Sequence, residues 1–519
     1  MKKRNRLFDL VKSLSQTEKR YFKVFASRHV LGSQNNYEQL FNAIEKQSRV
    51  PSGEYNEAAL KKGLKTFTSR FSATKSYLYS LILKSLDAYN GENTVDRKIQ
   101  KRLNYIEILF EKGLFEQCEF VLLNAAKLIN KHEKYFFLME SLQWKIQLIL
   151  AKKSSVHTTE NEIQKAHTGI FGALGKIKNI NEHHLLSYQL FLKMERNDTA
   201  NKYTEKKQIR RGKLPILLSR SGKTLSVRAM MLSNLSNMYY FSLQNNLLKA
   251  YHYSAKCVDI FEAHPFLITE STRTYISALS NLINYQMFHK KYEGVLPVID
   301  KIKSIRTRSE RLNNAVMSSA VIRELDLYNI TGEFHKGIIL IKSLIKSDKE
   351  DYILEKKHEK LFYYSMAYTY FGAEDLRASK KILNKTITKF KAEEKNTVSE
   401  LYYSCMILEI IVNYELGNED IVEYLTQSIY RRMKKRTSRS KLEQLFIDFM
   451  RNKVPKADSS EKRVKLFKKF KLDIENLPKD FKKGNTLAVF DFTSWIESKI
   501  EKKSFAEIVK RKVPAQANL

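Results

Sequence analysis

The chain has 519 residues, of which only 16 are Gly and 7 are Pro, while 43% are hydrophobic. So few turn-forming residues exclude an all-β protein, whose tight hairpins depend on them, and the apolar content excludes disorder over most of the length. The formal net charge is +36, from 92 Lys and Arg against 56 Asp and Glu. We therefore expect an all-helical protein with a strongly basic surface.

The positive charge has two interpretations. It indicates a binding surface for nucleic acid, an anionic membrane face or an acidic protein. Alternatively it reflects a compositional bias toward Lys, which supplies 66 of the 92 cations, whereas Arg, the better bidentate ligand for phosphate, supplies 26. Composition alone leaves both interpretations open.

Residues 1–90 are predicted to form a helical N-terminal module. Leu7, Val11 and Leu14 share one helix face, and Ser15 to Glu18 has the pattern of a capping box before the next apolar run. The stretch from Lys61 to Lys84 contains no acidic residue. It supplies the first candidate contacts for anions or nucleic acid, which are Lys61, Lys62, Lys65, Arg70 and Lys75.

A first block of helical repeats is predicted over 96–195. In it Gly113 ends one helix, and small or apolar residues follow at regular offsets, namely Phe115, Cys118, Leu122 and Ala125. Residues 196–223 are a predicted basic linker or loop, with polar residues, one Pro and two Gly. They supply the second group of candidate contacts, which are Lys206, Lys207, Arg210 and Arg211.

The repeat returns over 224–435 with a period of 41–45 residues. The aligned turn positions are Asn245, Lys290, Gly332, Ala373 and Gly417. Residues 436–519 are predicted to form a capping helix and a basic C-terminal tail. The stretch Arg431–Lys441 holds the third group of candidate contacts, namely Arg431, Arg432, Lys434, Lys435, Arg436, Arg439 and Lys441.

The pattern resembles the tetratricopeptide-repeat (TPR) superfamily of helix-hairpin solenoids. That family has Gly, Tyr or Phe, Ala, Phe and Ala where this chain has Gly332, Phe334, Gly337, Ile341 and Leu344. Its period is 34 residues, and its early Trp and closing Pro are missing from these repeats. The resemblance implies a right-handed, TPR-like α-solenoid whose concave surface binds partners, and it implies no particular contact residues.

No pattern of catalytic or cofactor-binding residues stands out. Gly222, Lys223 and Thr224 resemble the end of a phosphate-binding loop, but Leu217 stands where that loop needs its first Gly. Cys118, Cys257 and Cys405 are too far apart for a metal or disulfide framework. No apolar stretch is long enough to span a membrane. We expect no cofactor, no metal, no small-molecule substrate and a cytoplasmic protein.

The sequence favours a non-catalytic adaptor or scaffold that binds a protein or peptide partner, an acidic one given the charge. The alternative is an RNA- or DNA-binding helical-repeat protein that uses the three basic groups above. An enzyme is the weakest of the three hypotheses.

Overall fold

The structure is a computed structural model that describes residues 5–27, 36–48, 55–64, 71–91, 94–152, 156–197, 223–307, 309–346, 356–393, 400–434, 441–457, 459–477 and 490–513. Of these residues 88% are helical and none lies in a strand, so the predicted all-helical class is confirmed. The chain divides into two compact units, Met1–Ile177 and Lys178–Leu519.

Nine helices begin in the described residues of the first unit. They are α1 (Arg6–Ser13), α2 (Gln16–Ser27), α3 (Asn36–Ser48), α4 (Glu57–Gly63), α5 (Phe71–Tyr89), α6 (Val95–Glu111), α7 (Phe115–Lys131), α8 (Tyr135–Ala151) and α9 (Val156–Asn197). The boundary between the two units falls within α9. Helices α1–α5 share one apolar core, and α6–α8 share another.

The second unit continues with fifteen helices in its described residues. They are α10 (Val227–Leu243), α11 (Leu247–Ala263), α12 (Pro265–Glu270), α13 (Thr272–Phe288), α14 (Val295–Ser304), α15 (Glu310–Thr331), α16 (Phe334–Lys346), α17 (Lys356–Gly372), α18 (Leu376–Glu393), α19 (Glu400–Glu415), α20 (Glu419–Lys434), α21 (Lys441–Asp448), α22 (Ser460–Glu475), α23 (Phe492–Glu501) and α24 (Phe505–Arg511). A π-helical turn, Phe449–Lys453, follows α21.

The capping box at the start of α2 is confirmed. Ser15 Oγ accepts a hydrogen bond from the Glu18 backbone N–H at 3.2 Å, and a Glu18 carboxylate oxygen accepts one from the Ser15 N–H at 2.8 Å. The two bonds satisfy backbone donors that a helix N-terminus otherwise leaves without partners. This local sequence pattern therefore fixes where α2 begins.

The predicted turns are formed by residues with left-handed backbone. Gly113, Asn245, Lys290, Gly332 and Gly417 have φ between 58° and 75°. The predicted turn residue Ala373, the fourth of the aligned positions, is wrong by one residue, because the residue with positive φ is Glu374 (φ 66°). The Ala373 N–H still bonds to the Thr369 carbonyl at 3.0 Å, so the helical hydrogen-bond pattern continues through it.

Small side chains five residues after a turn let neighbouring helices approach closely. Cys118 and Ser379 are buried, and each donates a hydrogen bond to a backbone carbonyl of the preceding helix, that of Ile106 at 3.6 Å and that of Ala367 at 2.8 Å. At the equivalent Gly337, an added Cβ would lie 2.6 Å from a Thr369 methyl carbon. The small positions of the repeat thus set the spacing between paired helices.

Each helix from α13 to α20 packs against the next along the chain. Three further contacts, α13 with α15, α15 with α17 and α17 with α19, join the first helices of successive pairs. Three apolar clusters make up the core along these helices. Helix α19 is buried on nearly every face, with Cys405, Leu408 and Ile411 all inaccessible to solvent.

The C-terminal hairpin, defined here as residues 490–513 with α23 and α24, is part of this core. Phe505 lies 5.3 Å from Phe371 and 5.8 Å from Phe334, measured between ring centroids. Trp495 is fully buried and donates a hydrogen bond to Glu415 at the end of α19, at 2.6 Å. The sequence had placed these residues in a basic tail; the hairpin instead packs on the C-terminal halves of α15, α17 and α19.

Candidate functional site

Two of the five residues in the first group of candidate contacts pair with one acidic residue. Glu57 lies just upstream of the acid-free stretch, and its carboxylate pairs with Lys75 at 2.7 Å and with Lys61 at 3.0 Å. These two lysines hold the pKa of Glu57 at about 2, Lys75 contributing most. Both ammonium groups also lie 5.3 Å from the centre of the Phe71 ring. Lys61 and Lys75 therefore have local partners already.

Several candidate residues lie outside the described part of the chain. These residues are Lys65, Arg70, Lys206, Lys207, Arg210, Arg211, Lys435, Arg436 and Arg439. Among the described candidates, Lys62 is exposed on α4. Of the third group, Lys434 ends α20, Lys441 begins α21, and Arg431 is exposed near the end of α20.

Arg432 is held against a buried aromatic ring. One guanidinium nitrogen donates a hydrogen bond to the Tyr402 hydroxyl at 3.0 Å, and the guanidinium carbon lies 5.6 Å from the centre of the same ring. Burial raises the pKa of Tyr402, so its hydroxyl stays protonated and accepts this bond. The side chain of Arg432 remains exposed, and its charge therefore stays available at the surface.

The same arrangement recurs on neighbouring helices. Lys385 and Lys389 of α18 each lie 5.0 Å from the centre of the Tyr363 ring of α17. Lys360 lies 4.3 Å from the Phe390 ring, and Arg451, in the π-helical turn, lies 4.3 Å from the Tyr430 ring. A cation placed over an aromatic face is attracted by the negative potential of the ring.

We call these contacts together the cation–aromatic row. The rings of Phe390 and Tyr402 are 5.7 Å apart, which connects the contacts of α17 and α18 to those of α19 and α20. All members except Arg451, which lies in the π-helical turn, are near the starts of α17 and α19 or near the ends of α18 and α20, as expected for adjacent antiparallel helices. The row comprises the cations Lys360, Lys385, Lys389, Arg432 and Arg451 and the rings Tyr363, Phe390, Tyr402 and Tyr430.

The row presents charge and buries three of its four rings, while Tyr430 is 37% exposed. Tyr363, Phe390 and Tyr402 are at most 5% exposed, whereas Lys385 and Arg432 are exposed. Glu359 pairs with Lys389 and offsets one of the positive charges. An arrangement of cations over aromatic rings can bind carboxylates or phosphates, and the faces of the three buried rings are not accessible for stacking.

Sequence reasoning found Arg432 and missed the other four cations of the row. Arg432 stood in a dense basic run. Lys360, Lys385, Lys389 and Arg451 are spread over three elements, and their aromatic partners come from other parts of the chain. Only the folded arrangement of helix pairs brings them together.

Reactive side chains are sparse in the described residues. No group of three or more His, Cys, Asp or Glu side chains there is placed to hold a metal ion. All three cysteines are free and buried, and burial raises the pKa of Cys257 to about 12. Its thiol therefore stays protonated at neutral pH and is a weak nucleophile. Among the helices described, none combines the length and the apolar character that crossing a membrane requires.

Comparison with known sequences gave no relative. No protein-family model matches the chain, and no curated protein matches it.

Proposed function

We propose that the protein is a non-catalytic α-solenoid adaptor that binds an acidic segment of a partner protein. The solenoid part of this proposal is supported by the sequential packing of α13–α20 and by positive-φ turns that recur every 42 to 45 residues from Asn245 to Gly417. Repeats in which each unit contacts mainly its neighbours build extended arrays with long binding surfaces. A TPR-like, right-handed array is the form that the sequence resemblance implies.

The cation–aromatic row carries the functional part of the proposal. It holds five cations on adjacent elements, and Glu359 offsets the charge of one of them, Lys389. Each cation that lies on a ring is partly ordered before binding, so less side-chain entropy is lost when an anionic partner docks. Carboxylates of Asp and Glu are suitable ligands for such a row, and Arg432 adds a planar donor for them.

The alternative, an RNA- or DNA-binding role, is less well supported by the row. Proteins that bind single strands without sequence preference stack bases on exposed aromatic rings. In the row the rings of Tyr363, Phe390 and Tyr402 are buried and covered by cations. Acidic peptide is therefore the better match.

The test compares two anionic probes of equal length and charge, a fluorescent oligo-glutamate peptide and a single-stranded RNA. Binding is measured by anisotropy across salt concentrations. The charge-reversal variant Lys385→Glu/Arg432→Glu should lose at least about tenfold in peptide affinity, which corresponds to roughly 1.4 kcal/mol. The control, Lys465→Glu/Lys469→Glu, makes the same change of charge at exposed positions of α22.

Equal losses in both variants would mean that the peptide responds to net charge alone, and the row would be rejected as its site. Tighter binding of RNA than of peptide at physiological salt would favour the alternative. A nuclease-treated pull-down gives the corresponding result in lysate, because an adaptor keeps a stoichiometric protein partner after nuclease and a nucleic-acid-binding protein loses what it carried.

A further inference from the structure

A small polar cavity lies between the C-terminal hairpin and the first helices of two repeats. Its volume is about 100 Å³. Asp326 and Asn329 of α15 line it, with Tyr364, Ser365 and Tyr368 of α17, and Asp491 at the start of the hairpin closes it. This volume is several times that of one water molecule and matches a ligand of a few non-hydrogen atoms.

The lining residues are positioned by hydrogen bonds among themselves. Ser365 Oγ donates to Asp326 Oδ1 at 2.9 Å, and Asn329 Nδ2 donates to the Ser365 carbonyl at 3.0 Å. The hydroxyl of Thr369 donates to Asn329 Oδ1 at 2.9 Å. The backbone N–H of Asp491 donates to the Tyr368 hydroxyl oxygen at 3.3 Å. These bonds fix the cavity wall without filling the cavity.

The hydroxyl of Tyr364 has no hydrogen-bond partner. The residue is only 1% exposed, and its hydroxyl oxygen is shielded from solvent. A buried hydroxyl without a partner costs roughly 1 to 3 kcal/mol relative to one that is hydrogen-bonded. In a protein of this size such a group needs a ligand or ordered water, and Tyr364 lines the cavity where either would sit.

The cavity offers more acceptors than donors. The Asp326 carboxylate is buried and has Arg323 as a distant ion-pair partner, with 3.5 Å between nitrogen and oxygen. Asp491 accepts from the Ser494 backbone N–H at 2.9 Å and from the Ser494 hydroxyl at 2.5 Å. Both carboxylates keep unused lone pairs. Burial raises the pKa of Asp326 against the opposing effects of Arg323 and Ser365, so this carboxylate is stabilised less than it would be in water.

A ligand for such a wall should donate several hydrogen bonds and carry positive charge. A primary ammonium group has three donors and no acceptor. The remaining wall, Ile330 and Val509, is apolar and can face a short alkyl group. Water also fits the polar part of the wall, because the Tyr364 and Tyr368 hydroxyls can donate to it, and the experiment below distinguishes water from an ammonium ion.

We propose that this cavity is a binding site for a small primary ammonium ion, held by the Asp326 and Asp491 carboxylates and by the Tyr364 hydroxyl. The site is separate from the cation–aromatic row and does not depend on the adaptor function. The C-terminal hairpin contributes Asp491 and Val509, so the site exists only when the hairpin is packed on α15 and α17.

The experiment is isothermal titration of the full chain with methylammonium chloride, at ionic strength held constant with sodium chloride. Tetramethylammonium chloride is the matched probe, because it has the same charge and no N–H donor. We expect saturable binding of methylammonium and none of tetramethylammonium. Asp326→Asn should weaken the affinity by more than about tenfold, and Tyr364→Phe, which removes one hydrogen bond, by about fivefold.

The control variant is Tyr424→Phe, which removes a hydroxyl from a side chain that is 71% exposed on α20, and it should leave the affinity unchanged. Circular dichroism confirms the fold of each variant, and Tyr364→Phe, which keeps the ring, decides the test if Asp326→Asn does not fold. No saturable heat with methylammonium would mean that the cavity holds water only. Equal binding of both probes, or full affinity in the folded variants, would place the ion elsewhere. Each of these results would overturn the proposal.

Discussion

At the scale of single residues, the close contacts of the array depend on side chains that are absent or small. Gly372, the last residue of α17, faces Phe334, and an added Cβ would lie 2.2 Å from a ring carbon of that Phe. The ring cannot easily move, because it packs against Tyr368 and Phe505. Close packing of this kind leaves no room for one further methyl group.

We expect Gly372→Ala to destabilise the second unit by about 2 kcal/mol, since overpacking a well-filled core costs roughly 1 to 3 kcal/mol. Urea unfolding, followed by Trp495 fluorescence, measures the free energy of unfolding. The second Trp of the chain is removed by Trp144→Phe, so that Trp495 alone gives the signal.

The matched control for this variant is Gly172→Ala. This glycine is exposed in α9, and nothing lies within 4 Å of an added Cβ. The substitution should stabilise the helix by roughly 0.5 to 1 kcal/mol, because Ala loses less backbone entropy than Gly. A Gly372→Ala protein as stable as the parent would show that the Phe334 ring can relocate.

At the scale of helices and turns, the repeats are defined by where the chain reverses. Gly332 and Gly417 were recognisable in the sequence because Gly favours positive φ. Glu374 was not recognisable as a turn residue, because residue type gives no sign of its left-handed backbone. At this turn the repeat alignment chose Ala373, one residue before the residue that has the left-handed backbone.

Substitutions at Glu374 and Gly417 test whether both residues have the left-handed backbone conformation. Glu374→Gly should stabilise the second unit by about 1 kcal/mol, because a left-handed conformation costs an L-residue roughly 1 to 2 kcal/mol. Gly417→Ala should destabilise it by a similar amount, since an added Cβ there meets no atom within 4 Å and only the backbone is strained. Thermal unfolding by circular dichroism measures both. A destabilising Glu374→Gly together with a stabilising Gly417→Ala would mean that the two turns adopt other conformations.

The sequence predicted local features better than distant ones. The capping box of Ser15 and Glu18 and the turn at Gly332 are encoded within a few residues, so pattern alone located them. Arg432 meets Tyr402 across 30 residues, and Asp491 meets Tyr368 across 123. Contacts of that range depend on how helix pairs stack, which neither periodicity nor composition specifies. The cation–aromatic row and the cavity both depend on such contacts.

At the scale of the whole molecule, the net charge of +36 sets the electrostatic background. Specific ion pairs reduce it locally, as at Lys303 and Glu324, whose charged atoms are 2.7 Å apart. Cations still outnumber acids over the chain as a whole, and repulsion among like charges disfavours compact states.

Salt should therefore stabilise the protein. Raising sodium chloride from about 0.03 to about 0.3 M shortens the Debye length roughly threefold, which screens repulsion between surface charges. We expect the midpoint of thermal unfolding to rise by a few degrees, as measured by scanning fluorimetry at constant pH. A falling midpoint would mean that attractive pairs such as Lys303–Glu324 contribute more to stability than the repulsion subtracts.

The packing of the C-terminal hairpin on α15, α17 and α19 has a consequence for biosynthesis. During translation, at roughly 5 to 20 residues per second, Tyr368 leaves the ribosome 123 residues ahead of Asp491. For that interval the aromatic surface around Tyr368 and Phe371 has no cover from Phe490 and Phe505, and it is open to chaperones or to neighbouring nascent chains. The growing chain thus completes the core of its repeats only after residues well beyond them have been made.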